Sequence, residues 1–298
     1  MELRVLHYFL AVAREQSISK AAESLHLSQP TLSTQLKNME EELGKQLMIR
    51  GTKGSRKIIL TDEGMLLRKR AEEILSLVRK TENEIMFTDE TIVGDVFIGT
   101  GETDTIRLIA KTAQEVQKNY PEIHYHISSG NAMYVMEKLD KGLIDFGILY
   151  DSVDLTKYDS IKIPVKDIWG VLMRKDSPLA DKEFISPEDL WDKPLILSQQ
   201  ENQGSELSEW LKRDLSTLNV VATYNLLFSA SLLVDEGMGY AICFDKIINS
   251  TGSNLCFRPL KPKLEATAYL VWKKYQMFSK AADKFLDFMQ MQLSSREV

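Results

Sequence analysis

Apolar side chains at the start of the chain recur at helical spacing. Val5, Leu6, Phe9, Leu10 and Ala13 share one face, which predicts an amphipathic helix ending in the polar stretch Arg14-Glu15-Gln16-Ser17. Ser19 is the expected N-cap of a short second helix through Leu25, with Ala21, Ala22 and Leu25 facing inward. Ser28 is expected to cap a third helix. Pro30 falls in its first turn, where a missing backbone N–H costs little, Leu32, Leu36, Met39 and Leu43 form the buried stripe, and Gly44 closes it. With a tight turn at His26-Leu27, the three make a helix-turn-helix.

The period then changes to two. Leu47, Ile49, Ile58 and Leu60 alternate around the turn-forming Gly51-Thr52-Lys53-Gly54-Ser55, which predicts a two-stranded hairpin, or wing. Thr61 is expected to cap a long helix, with Asp62 and Glu63 in the first turn, where the macrodipole favours negative charge. Running to about Phe87, it spans roughly 39 Å. Leu66, Leu67, Ile74, Leu75, Val78, Ile85 and Met86 form its apolar side. A helix of this length between two domains has little of its own chain to pack on, so a second copy is its natural partner.

Past Thr91 strands alternate with helices. Val93–Ile98 and Ile123–Ile127 read as strands around a helix that Tyr120-Pro121 ends, and a helix over Asn131–Leu139 leads to a strand ending at Ile148. Further strands are expected near 168–173, 195–197, 219–223, 239–244 and 267–272, and a last helix over about Ser279–Leu293. This rhythm predicts mostly parallel sheets covered by helices on both sides.

Charge divides the chain unevenly. The 298 residues carry a formal net charge of −6, which taken whole does not suggest a nucleic-acid binder. Residues 1–88, however, hold 14 basic and 12 acidic residues, and residues 89–298 hold 23 and 31. Five basic residues and no acidic one lie between Lys45 and Lys57. An anionic partner is therefore to be sought at the N-terminal end. Two cysteines without a CxxC pair suggest neither a disulfide framework nor a structural zinc site. The apolar Leu6–Ala13 is interrupted by His7 and flanked by charges, so it reads as a helix rather than a secretory signal. No run of about 18 apolar residues suggests a membrane span. The expectation is a cytoplasmic protein without membrane contact.

Ala21-Ala22, Leu25-His26-Leu27-Ser28-Gln29-Pro30, Leu32-Ser33, Gln35-Leu36, Glu41-Glu42-Leu43-Gly44 and Leu60-Thr61-x-x-Gly64 closely resemble the winged helix-turn-helix of LysR-type transcriptional regulators. The resemblance continues through Gly94-x-x-x-Ile98-Gly99, Tyr120-Pro121, Gly130, Gly142-x-x-Asp145 and Glu236-Gly237-x-Gly239. It implies an α+β protein with three parts. Residues 1–60 would form the winged helix-turn-helix DNA-binding domain, and 61–90 the linker and dimerisation helix. Residues 91–298 would form an α/β two-lobed, type II periplasmic-binding-protein-like effector domain. Its lobe I would hold about 91–162 and 264–298, and lobe II about 163–263, with crossings near Lys162-Ile163 and Lys263-Leu264.

The function implied is a sequence-specific regulator whose geometry on a promoter is set by a small-molecule effector in the interlobe cleft. The partners are double-stranded DNA, an effector of unknown identity, and a second copy, with dimers pairing into tetramers as is common in the family; RNA polymerase is a further candidate. No cofactor, metal or catalytic residue is expected. The third helix would enter the major groove with Ser28, Gln29, Pro30, Thr31, Ser33, Thr34 and Lys37 toward the DNA. Gln29 suits adenine, and Lys37 suits phosphate or guanine. Thr34 departs from the family, which usually has Arg there, so phosphate contact falls more on the wing residues Arg50, Lys53, Arg56 and Lys57.

For the effector, the resemblance selects Thr100, Gly101, Glu102 and Thr103, then Ser128, Ser129, Ser198, Gln199 and Asn225. Many family members bind carboxylates. Here Glu102 and Asp104 already supply negative charge after Gly101, which leaves a neutral or amine-bearing effector open. His124 and His126 share one strand face but lack an evident third metal ligand, and Cys243 and Cys256 sit in apolar runs that suit inert core thiols. A solute-binding protein would explain residues 92–298 but leave the basic wing without purpose. An enzyme has no P-loop, GxSxG elbow or HExxH to start from. An effector-independent repressor with a vestigial cleft is the milder alternative.

Overall fold

Three helices open the chain: α1 (Leu3–Glu15), α2 (Ile18–Ser24) and α3 (Gln29–Leu43). The computed structural model describes residues 1–50, 57–86, 92–150, 154–201 and 205–294, and the chain divides into two units, Met1–Met86 and Phe87–Val298. In the first unit Phe9, Val12, Ala21, Leu32, Leu36 and Met39 form a shared core. The N-cap of α2 is Ser17, not Ser19: Gln16 takes a left-handed φ of 51° and the chain reverses two residues earlier than expected. Ser19 instead donates its hydroxyl to Gln29 Oε1 at 3.1 Å. Ser28 caps α3 by accepting from Thr31 N at 3.2 Å, and Gly44, at φ 64°, ends it. Leu43 is exposed rather than part of the buried stripe. His26, at φ 54°, makes the turn between the two helices.

The wing strands β1 (Met48–Arg50) and β2 (Ile58–Leu60) pair antiparallel, Met48 opposite Leu60 and Ile49 opposite Ile59. This register corrects one expectation. Met48 and Ile58 are buried, while Ile49 turns outward with Ile59. The wing is tied to the helices by Glu40, whose carboxylate accepts from the N–H groups of Leu47 at 2.7 Å and Met48 at 3.1 Å. Helix α4 (Asp62–Met86) starts under the wing, where Thr61 Oγ1 accepts from Gly64 N at 3.0 Å and donates to Gln46 O at 2.8 Å. Gly64 is required there, because a Cβ would lie 2.0 Å from the Leu47 carbonyl oxygen. Ala71 is buried in the unit's core, with Leu67, Ile74 and Leu75 against it. Further along the same helix Ile85, of the expected apolar side, is 77% exposed, and Leu77, which that side does not include, is 43% exposed, so apolar residues outlast their cover in this unit.

The second unit is built on a nine-stranded sheet. Its first half holds β3 (Gly94–Thr100), α5 (Ile106–Asn119), β4 (Ile123–Ser129), α6 (Ala132–Asp140) and β5 (Phe146–Tyr150). The chain then enters β6 (Tyr158–Arg174), followed by β7 (Leu195–Ser198), α7 (Glu206–Leu211), β8 (Val220–Tyr224), α8 (Leu227–Asp235), β9 (Tyr240–Phe244) and β10 (Leu255–Pro259). It returns through β11 (Glu265–Lys273) to α9 (Lys280–Ser294). The sheet order is β4-β3-β5-β11-β6-β9-β7-β8, with β10 also on β6. Pairing is parallel among β3, β4 and β5 and among β7, β8 and β9, but antiparallel wherever β6 or β11 takes part.

The sheet is therefore mixed rather than mostly parallel, because the two connecting strands run against each other. The apolar pattern also marks only the C-terminal part of β6 and does not mark β10. Polar residues such as Asp159, Lys162 and Lys166 obscure β6, and Leu255-Cys256-Phe257 is a short apolar run without helical or alternating period. Pairing of β6 with β11 shifts register between Thr267 and Tyr269, opposite a stretch containing Pro164, which has no N–H to give the ladder. Alternate side chains feed cores on both faces: Phe146 and Leu270 meet Phe285 and Met289 of α9, while Val271 meets Val135 and Leu139 of α6. Leu195 and Leu197 pack with Trp210 of α7, and Ile196 with Ala230 and Val234 of α8.

Glu40→Ala leaves two buried wing N–H groups without an acceptor. It is expected to lower unfolding stability by about 2 kcal/mol, and Glu40→Gln, which keeps a carbonyl acceptor, by less. Urea unfolding of the full chain measures both, and an unchanged midpoint for the alanine variant would remove the tie assigned to Glu40.

Candidate functional site

On the first unit, Ser28, Gln29, Pro30, Thr31, Thr34 and Lys37 are exposed and Ser33 is half-buried, all on the N-terminal two-thirds of α3 or at its cap. Three of them are already ordered by local bonds. The hydroxyls of Ser28 and Thr31 lie 2.7 Å apart, and Gln29 holds Ser19 through its carbonyl, which leaves its amide N–H groups for another acceptor. Lys37 pairs loosely with Glu41, 3.3 Å away on the next turn, and both are well exposed. Lys57 is exposed beside β2, whereas Lys53, Arg56 and the side chain of Arg50 lie outside the described residues. The exposed face of a helix in this position is polar and convex, which suits a groove rather than a small molecule.

The second unit contains a cavity of about 470 Å3 between its two halves. Gly101, Glu102, Ser198 and Asn225 line it, at the ends of strands or the start of a helix, where sheets of this kind place ligands. Other expected residues are elsewhere. Thr100 is buried and donates to the Gly101 carbonyl at 2.9 Å. Thr103 turns away from the cavity and donates to Asp167 Oδ2 at 2.7 Å. The same oxygen receives Thr105 Oγ1 at 3.1 Å and Tyr150 OH at 2.7 Å. Ser128, Ser129 and Gln199 do not line the cavity; their neighbours Gly130, Gln200 and Glu201 do.

The walls come from residues that sequence reading does not select. Tyr150, Trp169, Tyr224 and Phe244 all line the cavity. Phe244 packs against Trp169 at 4.4 Å and Tyr150 at 5.2 Å between ring centroids. Tyr150 gives its hydroxyl to Asp167, and Tyr224 gives its own to the Ile242 carbonyl at 2.8 Å. Burial pushes both phenols well above their ordinary pKa, with nearby carboxylates adding to it. With their hydroxyls engaged inside the protein, the rings are what these two residues offer a guest. Their strands are far apart in sequence, so only the sheet order brings them together.

Two helices point their N-termini across the cleft, and each receives a side chain from the other half. Leu226, at the N-cap of α8, makes no side-chain cap; instead Glu102, just after β3, accepts from the Leu227 N–H. Gln200, just after β7, accepts in turn from Ala132 N at 3.0 Å, at the first residue of α6, where Asn131 also caps Tyr134 N at 2.9 Å. Glu201 receives the Ser205 hydroxyl at 2.7 Å. Burial pushes its carboxyl above the ordinary range, the Ser205 hydrogen bond opposes this, and the charge of Glu206 adds to it.

The remaining candidates have local partners. His126 Nε2 lies 2.9 Å from Asp95 and its ring stacks on Phe97 at 4.6 Å. Cys243 and Cys256 are buried and free, opposite Gly170 and Met173 on the two sides of β6. Two strand spacings, roughly 10 Å, exceed the reach of a disulfide. Burial raises both thiols above their ordinary pKa, that of Cys243 far above it. Among the described residues no group of acidic, histidine or cysteine side chains could hold a metal ion, and no helix is long and apolar enough to cross a membrane.

Residues 3–65 match the bacterial regulatory helix-turn-helix family of lysR type, and residues 90–294 match the LysR substrate binding domain. The transcriptional regulator BsdA of Bacillus subtilis is 32% identical over 252 residues, covering 81% of this chain and 83% of BsdA. The Hca operon transcriptional activator HcaR of Escherichia coli is 26% identical over 99% of both chains. Among solved structures, CbnR complexed with its target DNA superposes with a TM-score of 0.74 at 18% identity, over 98% of this chain and 99% of CbnR. A full-length OxyR variant of Pseudomonas aeruginosa does so at 0.55 and 22%, over 97% and 99%. The chain belongs to the LysR family of bacterial transcriptional regulators, with a DNA-binding helix-turn-helix followed by an effector-binding domain.

Proposed function

We propose that two copies of this chain, joined along α4, set two α3 helices into successive major grooves of a promoter in the cytoplasm, and that closure of the cleft over an effector changes the spacing they prefer. The exposed polar face of α3 carries the reading. Gln29 through its amide, with Thr31, Ser33 and Thr34 beside it, faces base edges, while Lys37 and the wing residues Arg50, Lys53, Arg56 and Lys57 neutralise phosphates. Ser28 orders the first turn. The apolar side of α4 beyond the helix-turn-helix core, ending in the largely exposed Ile85, supplies the seam between copies. Pairing of two dimers on one operator and contact with RNA polymerase are natural extensions of that arrangement.

In the cleft, Gly101, Glu102, Ser198 and Asn225 meet the effector, while Thr100, Thr103, Ser128, Ser129 and Gln199 support the loops that carry them. The reciprocal caps from Glu102 and Gln200 close the free protein. An effector switches the dimer only through a difference in affinity between closed and open cleft, so these two caps set the starting balance.

Three outcomes test the reading. Arg56→Ala is expected to weaken binding to unrelated DNA sequences about equally and to reduce the slope of log affinity against log salt by about one, whereas Gln29→Ala is expected to relax preference at one base pair by about 1–3 kcal/mol. Binding titrations over a salt series decide this; an altered base preference at unchanged slope for Arg56→Ala contradicts its role. The double variant Leu77→Asp, Ile85→Asp is expected to sediment as a monomer and lose promoter affinity while keeping its helix content. A dimer that persists moves the seam off α4. Glu102→Ala is expected to cost about 1–2 kcal/mol of stability, the value of a charged helix cap, and Glu102→Gln less. Thermal unfolding reads it, and equal loss in both variants refutes a charge-assisted cap.

A further inference from the structure

The cavity of the second unit is acidic. Among the described residues, the lining includes Glu102, Glu201 and Glu206 and no lysine, arginine or histidine. A carboxylate effector would compete with Glu102 for the Leu227 N–H at the N-terminus of α8, which the chain itself fills. It would also approach Glu201, which is largely enclosed and has a hydroxyl rather than a cation as its partner. The tyrosine ring of Tyr224 stands near both carboxylates, whose charges each act on its phenol. Neutral groups complete the polar lining.

We infer that the cleft is built for an organic cation, a primary ammonium or guanidinium on an apolar body, with the charge set between Glu201 and Glu102 and the apolar part against Trp169, Phe244 and Tyr224. This rests on the cleft being the effector site, and it fixes the effector's charge. The rings supply a second attraction of the same sign, since aromatic faces draw cations. The surplus of acidic over basic residues beyond Thr88 makes the unit a collector of cations at longer range. A bound cation also relieves the cost of holding Glu201 ionised under burial, because an opposite charge favours the charged form. Glu102 caps α8 through one oxygen, which leaves the other to meet the guest's charge, so binding tightens the same closure.

Isothermal titration of the full chain with 2-phenylethylamine, butane-1,4-diamine and agmatine, set against phenylacetate and succinate, tests this. At least one cation is expected to bind, the two anions to give no saturable heat, and Glu201→Gln to weaken the cation by about tenfold or more, as loss of a charge-assisted hydrogen bond does. Glutamine still accepts from Ser205, and an unchanged unfolding midpoint establishes that the variant is folded. Saturable binding of the anions without the cations overturns the charge assignment and leaves the effector cleft standing, as does cation binding that Glu201→Gln does not weaken. If neither series binds, the cation assignment fails. Ile247→Trp, which adds bulk to the cavity wall, then separates the readings: a changed promoter footprint preserves cleft control, and an unchanged one removes it.

Discussion

A helix N-terminus that faces a partly enclosed space must find acceptors for its first N–H groups, and this protein meets that demand across a cleft. Helix α8 has no side-chain cap of its own and takes the Glu102 carboxylate from the opposite half; α6 takes the Gln200 amide oxygen in return. Each half is therefore incompletely satisfied alone. Opening the cleft exposes both ends to water or to a guest, and closing it restores two hydrogen bonds, one of them charge-assisted. Strand β6 pairs with β11 at one end and with β9 and β10 at the other, so it belongs to both halves, and its pairing with β11 shifts register between Thr267 and Tyr269.

That geometry explains why some polar residues matter more than their position suggests. Asp167 gathers the hydroxyls of Thr103, Thr105 and Tyr150 within β6, and so fixes the loop after β3 and one aromatic wall together. The loop carries Glu102 to the cleft. A buried carboxylate with three hydroxyl donors is well satisfied, and removing it would strand all three. In the first unit Glu40 has the corresponding role, since it holds the wing to α3.

Local signals in the sequence carry most of the first unit. Ser28, Gly44 and Thr61 mark helix ends through interactions within a few residues, and each does so in the structure. The departures are of phase or of distance. Ser17 rather than Ser19 caps α2 because Gln16 adopts a left-handed conformation that no local rule requires. Ile49 faces outward because the wing's register, not its apolarity, decides its side. In the cleft the strand ends are legible but the facing residue only in part: Gly101, Glu102, Ser198 and Asn225 line it, while one step separates Ser129 from Gly130 and Gln199 from Gln200. The aromatic walls depend on β5, β6, β8 and β9 meeting in the sheet order, which spacing along the chain does not encode.

Under the proposed function, promoter binding and cleft closure form a single equilibrium. Linkage is reciprocal, so DNA must act on the cleft as much as an effector acts on DNA. Amide hydrogen exchange at Leu227 and Ala132, the two N–H groups held across the cleft, reads this coupling with and without saturating promoter DNA. DNA is expected to change the protection of both amides in the same direction. Exchange at both that is indifferent to DNA would mean that the two ends of the molecule work independently.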